Sequence, residues 1–378
     1  MNPVRMAMIG GGPGSFMGPV HRRAAAMDDC IRLVAGAFSR DDGRNRATAE
    51  AAGISPARIS TDAIALLDRE AALPKDERAE LISIIAPNNI HAAVATAALE
   101  RGFAVFCEKP LARDAADAHA VAALAAARPD RFAMAYTYQG YPMVQEARAL
   151  IAAGAIGTLQ RVSVSYTQGW LTQPVETQGN AQAVWRTDPA QSGSSGCFGD
   201  IGVHAQNMVE FLSGLPIEAV MADIRAAVPG RRLDDDGAAL LRLAGGVRGT
   251  LVASQVCAGE QNRFDIALFG TQGALRWAQE QPTQIVLTDA DGRATTLSAN
   301  PAMMTDPAAR AALRLPGGHP EGYIGALANL YRSFALTLRG RGDAAPPLPG
   351  IASGMRSLAF VEAVIESSRT HGWVAVND

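Results

Sequence analysis

The stretch MIGGGPGSFMGPVHRRA, residues 8–24, decides how the rest of the chain reads. It continues VRMAMIG (4–10), an apolar run of strand type, and leads into a helical stretch, HRRAAAMDD (21–29). Glycine carries no Cβ, so a backbone rich in it turns sharply and approaches a bulky anion closely. The helix N-terminus that follows offers free N–H groups and positive partial charge, which suit phosphate. Gly10 and Gly12 match the first two positions of G-x-G-x-x-G. Ser15 takes the third, with Gly14 and Gly18 flanking it, which predicts a longer loop than usual. A glycine run alone also makes a plain turn. Between a strand and a helix it points to a dinucleotide pyrophosphate, cradled by Gly10, Gly12, Pro13, Gly14 and Ser15.

Working outward, short apolar strands alternate with Ala-rich helices. IRLVAGAF (31–38), ELISIIAP (80–87), AVFCEKP (104–110) and RFAMAYTY (131–138) read as strands. The stretches 41–53, 89–102 and 113–127 read as helices. Continuous apolar runs mark strands buried on both faces, and the β-α-β order predicts a parallel sheet covered by helices. After residue 138 the rhythm changes. One more helix (144–154) precedes longer strand-like segments with turn signals at Gly245-Gly246 and Asp291-Gly292. Helices are expected at 200–213, 321–339 and about 351–369, then a strand-like GWVAV, with RGDAAPPLPG (341–350) a Pro-rich connector. The expected fold class is α/β: an N-terminal Rossmann, doubly wound parallel sheet, then an α+β domain with a large open, mostly antiparallel sheet. The expected domains are 1–135 and 136–378, with the C-terminal helix able to pack back on the first.

The chain has 378 residues, too many for one hydrophobic core, so two domains are natural. Hydrophobic residues make up 48% and charged residues 19%, an ordinary globular balance. A net charge of −3 and the lack of any block of like charge exclude a nucleic-acid tail. Asp234-Asp235-Asp236 beside Arg231-Arg232 reads as a solvated turn rather than a metal site. Cys30, Cys107, Cys197 and Cys257 form no C-x-x-C pair and read as free thiols in a reducing compartment. No signal peptide and no membrane-length apolar run is visible, so a cytoplasmic protein without a membrane or nucleic-acid partner is expected. No metal is expected.

Three short motifs carry chemistry. SRDD (39–42) ends the second strand about 20 residues past the glycine loop, where a ribose is read. Ser39 and Arg40 suit the 2′-phosphate of NADP, and Asp41 or Asp42 would suit the diol of NAD, so NADP is favoured over NAD. Ser39 or Asp41 could instead simply cap a helix. EKP (108–110) ends a parallel strand, where open α/β sheets bind ligands. Lys109 there could exchange a proton with a substrate hydroxyl, or be a surface lysine paired with Glu108; Pro110 is a candidate cis proline. GDIGVH (199–204) places Asp200 and His204 four apart at a helix start, a spacing fit for acid/base work or for a capping Asp and an interior His.

Together the glycine loop, APNNIH (86–91), EKP (108–110), GAIG (154–157) and GDIGVH (199–204) resemble the Gfo/Idh/MocA family, in the family's order and over nearly the whole chain. AVWRTDPAQSGSSGCFGDIGVHA and GGHPEGY (317–323) look like a sugar-oxidising branch. The resemblance implies NAD(P)-dependent oxidation of a secondary alcohol on a sugar, glycoside or inositol-type polyol. It implies Lys109 at the substrate hydroxyl, His204 as acid/base and Asp200 orienting substrate or lysine. It also implies Pro87, Asn88, His91 and Glu108 near the nicotinamide end of the cofactor. Tyr138, Trp185, Arg186 and His319 become substrate-pocket candidates. A homodimer or homotetramer through the C-terminal sheet is implied as well. The chain departs from the pattern at the third loop glycine and at SGSSGCFGD, where a glycine triplet is more usual. Two alternatives stay open: a nicotinamide-assisted glycosidase without net redox change, and a non-catalytic cofactor or sugar sensor.

Overall fold

The computed structural model describes residues 2–342 and 346–377. Residues 343–345 of the expected connector lie outside the described residues. The chain divides into two compact units, Met1–Tyr136 with Leu327–Met355, and Thr137–Ala326 with Arg356–Asp378. The first unit thus takes in a late stretch that the sequence reading gave to the second domain.

In chain order the first segment runs β1 (Val4–Gly10), α1 (Met17–Ala26), β2 (Ile31–Ala37), α2 (Asp42–Ala51), α3 (Ala63–Ala72), β3 (Leu81–Ile85), α4 (His91–Glu100), β4 (Ala104–Cys107), α5 (Ala115–Ala127) and β5 (Phe132–Met134). The five strands form one sheet in the order β2-β1-β3-β4-β5, every pair parallel. All residues of β3 and β4 are buried, which is why both read as unbroken apolar runs. The strand order reverses at β1, so the switch point, where such sheets bind ligands, lies at the carboxyl ends of β1 and β3. Helix α3 fills a stretch to which the sequence reading gave no element; it buries Leu66, Leu67 and Glu70 and is capped by Asp62.

The remainder runs α6 (Pro142–Ala152), β6 (Leu159–Thr167), α7 (Ala181–Arg186), α8 (Pro189–Ser192), α9 (Val203–Ser213), β7 (Ile217–Arg225), β8 (Asp236–Leu243), β9 (Arg248–Ser254), β10 (Arg263–Gly270), β11 (Gly273–Ala278), β12 (Gln284–Asp289), β13 (Ala294–Ser298), α10 (Pro307–Ala311), α11 (Tyr323–Leu338), α12 (Ile351–Thr370) and β14 (Val374–Ala375). A nine-stranded sheet has the order β13-β12-β11-β10-β6-β9-β8-β7-β14. Every pair is antiparallel except β6 with β9. Gly245 and Gly246 take positive φ (70° and 80°) at the β8–β9 hairpin, as their place in the sequence predicts. One face of the sheet packs on α6 and α9 through Val144, Ala147, Met208 and Val209. Among the described residues, no helix is long and apolar enough to cross a membrane.

The structure overturns the solvated reading at Asp234 and Asp235, whereas Asp236 stays partly exposed beside Arg225. Asp234 is 8% and Asp235 2% exposed. Asp235 accepts from the backbone N–H groups of Ala227 and Val228 and from the Arg231 guanidinium, whose side chain is 2% exposed. Carboxylates buried in this way serve as fixed acceptors for backbone donors that water cannot reach.

Candidate functional site

In the first unit the glycine loop forms the cradle the sequence predicts. Gly10, Gly11 and Gly14 have φ of +83°, +73° and +85°. A Cβ on Gly10 would run into the Ile85 carbonyl, and one on Gly12 into the Phe38 carbonyl. The loop therefore lies against the ends of both β3 and β2. Ser15 accepts from the Gly18 N–H (3.0 Å), and Gly18 packs directly on Gly11. Gly18 thus supplies the close helix–loop contact that the third glycine of the motif normally gives. A loop seated this closely on the strand ends and opening into α1 fits a dinucleotide pyrophosphate.

At the end of β2, Arg40 is exposed. Asp41 caps α2, accepting from the Arg44 N–H (2.8 Å), and Ser39 Oγ accepts from the Asp41 N–H (3.1 Å). Asn88 is buried in a single helical turn after Pro87. His91 is also buried, its Nδ1 2.7 Å from the Pro110 carbonyl and its Nε2 2.8 Å from that of Ala86. Burial lowers its pKa, against the pull of the two carbonyls. His91 ties the end of β3 to the turn after β4. The Lys109–Pro110 peptide is cis, as the motif suggests. Lys109 is half-buried and donates its N–H to Glu108 Oε2 (3.1 Å). Burial pushes the neighbouring Cys107 thiol up, leaving it a packing group.

One signal for Lys109 lies in plain view in the composition. Of 34 Lys and Arg residues only two are lysines, Lys75 and Lys109. Arginine holds its charge at every working pH, whereas an ammonium can give up a proton.

In the second unit, Asp200 lies in a π-helical turn (Phe198–Gly202) that runs into α9, with His204 in the first turn of α9. The expected continuous helix over 200–213 is therefore wider in its first turn. Asp200 Oδ2 accepts from Arg186 Nε (3.3 Å) and Gln255 Nε2 (3.0 Å). Arg186 stacks over the Trp185 ring, 4.2 Å from its centroid. A chain of polar groups continues from there. Gln255 reaches Gln168 Oε1 (3.3 Å), Trp170 donates to the same oxygen (3.0 Å), and Gln168 donates to Asn262 Oδ1 (2.6 Å). Tyr166 donates to Asn262 as well (2.9 Å), and Tyr138 Oη lies 2.5 Å from Tyr166 Oη. Tyr138 meets the His204 ring edge-on, 4.9 Å between centroids. Burial raises the Tyr138 and Tyr166 hydroxyls well above the phenol range, so both stay neutral.

The structure thus brings Tyr138, Arg186, Asp200 and His204 into one neighbourhood. His319 is exposed and its Nδ1 meets the Pro316 carbonyl of its own turn (3.0 Å). Sequence reasoning missed Gln168, Gln255 and Asn262, which occupy strand ends and carry no motif. It also missed Asp234. That carboxylate accepts from Ser195 Oγ (2.8 Å), Gly196 N–H (2.8 Å) and Phe198 N–H (2.9 Å), anchoring the segment that leads into Asp200. Among the described residues, no three His, Cys, Asp or Glu side chains gather to hold a metal ion.

Comparison with known proteins bears on the fold and the family. Residues 4–136 match the family model described as "Oxidoreductase family, NAD-binding Rossmann fold", and residues 144–276 match the "GFO/IDH/MocA C-terminal domain". A crystal structure of an inositol dehydrogenase homolog from Azotobacter vinelandii complexed with NAD+ is 34% identical, covers 99% of this chain and 97% of its own, and superposes with a TM-score of 0.93. The same homolog complexed with NADH and myo-inositol is 32% identical over 99% of this chain and 98% of its own, with a TM-score of 0.91. Levoglucosan dehydrogenase of Pseudarthrobacter phenanthrenivorans is 25% identical over 100% of this chain and 99% of its own. With matches that run through both units, the chain belongs to the Gfo/Idh/MocA family of oxidoreductases and carries that family's NAD-binding Rossmann domain.

Proposed function

We propose that the protein oxidises a secondary alcohol of a sugar, glycoside or inositol-type polyol, reversibly, with NAD(P). The observation that carries this reading is the run of side-chain amides, phenols and one ion pair beside His204: Arg186–Asp200, Gln255, Gln168, Asn262, Tyr166 and Tyr138. Such a set of alternating donors and acceptors matches a ligand with many hydroxyls. The named substrates of the relatives, myo-inositol and levoglucosan, support the same class.

In this reading the loop Gly10, Gly12, Pro13, Gly14 and Ser15 holds the pyrophosphate, and Ser39 with Arg40 reads the adenosine ribose. Asp41 spends its carboxylate on the helix cap, which favours the 2′-phosphate of NADP over the diol of NAD. Pro87, Asn88, His91 and Glu108 line the nicotinamide end. When bound, the nicotinamide supplies the hydride acceptor. Lys109 stabilises the developing alkoxide, His204 accepts the hydroxyl proton, and Asp200, held by Arg186 and Gln255, orients the neighbouring hydroxyls.

The nine-stranded sheet leaves Met221, Leu240 and Val252 exposed on one face, Met221 and Leu240 directly paired. A second copy covers them in the homodimer or homotetramer we propose, which light scattering on the eluting protein tests.

The test of function is incubation of purified protein with NADP or NAD and a panel of inositols, aldoses and glycosides, followed by reduced-nicotinamide absorbance. A rise with one class supports the dehydrogenase. Release of free sugar without reduced cofactor would replace it with the glycosidase, and binding without turnover with the sensor.

A further inference from the structure

His21 lies four residues into α1, the helix that follows the glycine loop, and neither the motifs nor the mechanism above uses it. It is 0% exposed. Its Nε2–H donates to Glu108 Oε1 at 2.7 Å, and its Nδ1 lies 2.7 Å from Tyr331 Oη. Tyr331, on α11, in turn lies 2.7 Å from Ser83 Oγ on β3. Phe106 of β4 packs on both rings, 6.1 Å from His21 and 4.4 Å from Tyr331 between centroids. A line of polar groups therefore crosses the interior of the first unit: Ser83, Tyr331, His21, Glu108.

The line ends at Lys109. Glu108 divides its carboxylate, Oε1 toward His21 and Oε2 toward the Lys109 backbone N–H. A buried carboxylate is held where its donors hold it, and leaving it without them is costly. The orientation of Glu108, and with it the backbone from which Lys109 projects, is set by a residue of the cofactor-loop helix. Hydrophobic packing alone would put a Phe or Leu at position 21. A histidine with both ring nitrogens engaged is a specific device.

We propose that His21 is a positioning residue, which through Glu108 fixes the Lys109 backbone and ties the lysine to the helix that begins at the glycine loop. Its consequence for turnover rests on the reading of Lys109 as the group at the substrate hydroxyl; the positional tie itself does not. Without His21 the Glu108 carboxylate loses the donor that fixes its Oε1, and the Lys109 backbone held by its Oε2 loses that fixed direction.

The two lysines make the test direct, because exposed Lys75 is an internal reference for Lys109. The wild-type protein and H21F, which keeps the ring volume and loses both bonds, are labelled with trace acetic anhydride at several pH values. The two sites are then quantified by mass spectrometry. The Lys109-to-Lys75 labelling ratio is expected to change by about threefold or more in H21F at neutral pH, as the Lys109 backbone loses its fixed placement. Y331F removes only the far hydroxyl and is expected to shift the ratio the same way by less. It also serves if H21F does not fold by circular dichroism. With an identified substrate, H21F should lose about tenfold or more in kcat, with an altered pH profile and a dinucleotide Kd close to wild type. An unchanged labelling ratio in folded H21F, or in folded Y331F should H21F not fold, overturns the proposal. A changed ratio in a protein that oxidises no polyol supports the tie and removes only the proposed function.

Discussion

Replacing Asp234 with alanine separates the turn read from sequence from the buried anchor found in the fold. The carboxylate takes three donors, Ser195 Oγ, Gly196 N–H and Phe198 N–H, at 2.8, 2.8 and 2.9 Å. Each buried donor left without an acceptor costs about 1–3 kcal/mol, so the gross loss is roughly 3–9 kcal/mol. Part is returned, because burial penalises the ion and raises the Asp234 pKa against the pull of its three donors. With that part returned, we expect a net loss of about 3 kcal/mol, the low end of the gross figure. For a unit of this size that lowers Tm by roughly 6–12 °C. Asp234→Asn keeps one acceptor but turns an NH2 toward the Phe198 N–H, so about half the loss is expected. Denaturant titration followed by tryptophan fluorescence, with melts in parallel, measures both variants. Because the anchored segment leads into Asp200, KM for the polyol should rise while dinucleotide affinity stays put. Stability of Asp234→Ala within about 0.5 kcal/mol of wild type, the range of an ordinary surface change, would refute the anchor.

Three further expectations follow from the two units. Lys109→Ala should retain dinucleotide binding and lose about 100-fold or more in kcat, and near wild-type turnover would remove Lys109 from the chemistry. Arg40→Ala should weaken NADP by about tenfold and NAD far less, since a charge-assisted pair to phosphate is lost; equal effects in fluorescence titrations would take Arg40 out of the ribose site. Glu80 is half-buried, and its burial penalty is outweighed by the Arg339 guanidinium (2.8 Å) and the Arg5 N–H (3.0 Å), so its folded pKa lies below the ordinary value. Its stabilisation is full above the unfolded carboxyl pKa of about 4.3 and drains away as pH falls through the lower folded value. The stability gap between wild type and Glu80→Gln should therefore shrink below about pH 4, and a gap constant with pH would contradict the pairing.

What the chain determines by itself is what neighbours in sequence can specify. The mainly apolar, wholly buried runs of β3 and β4 mark a sheet covered on both faces. The glycine loop is legible because only residues without a Cβ tolerate φ near +80° against the ends of β2 and β3. The cis peptide before Pro110 and the cap at Asp41 are similarly local. Distant pairings belong to the tertiary structure. Arg186 meets Asp200 across 14 residues, Gln255 meets it across 55, and Asp234 reaches Ser195 across 39. His21 finds Glu108 across 87 residues and Tyr331 across 310. Composition cannot tell a solvated Asp-Asp-Asp from a buried one. The difference is whether other segments bring backbone donors that water would otherwise satisfy, and only the packed chain decides that.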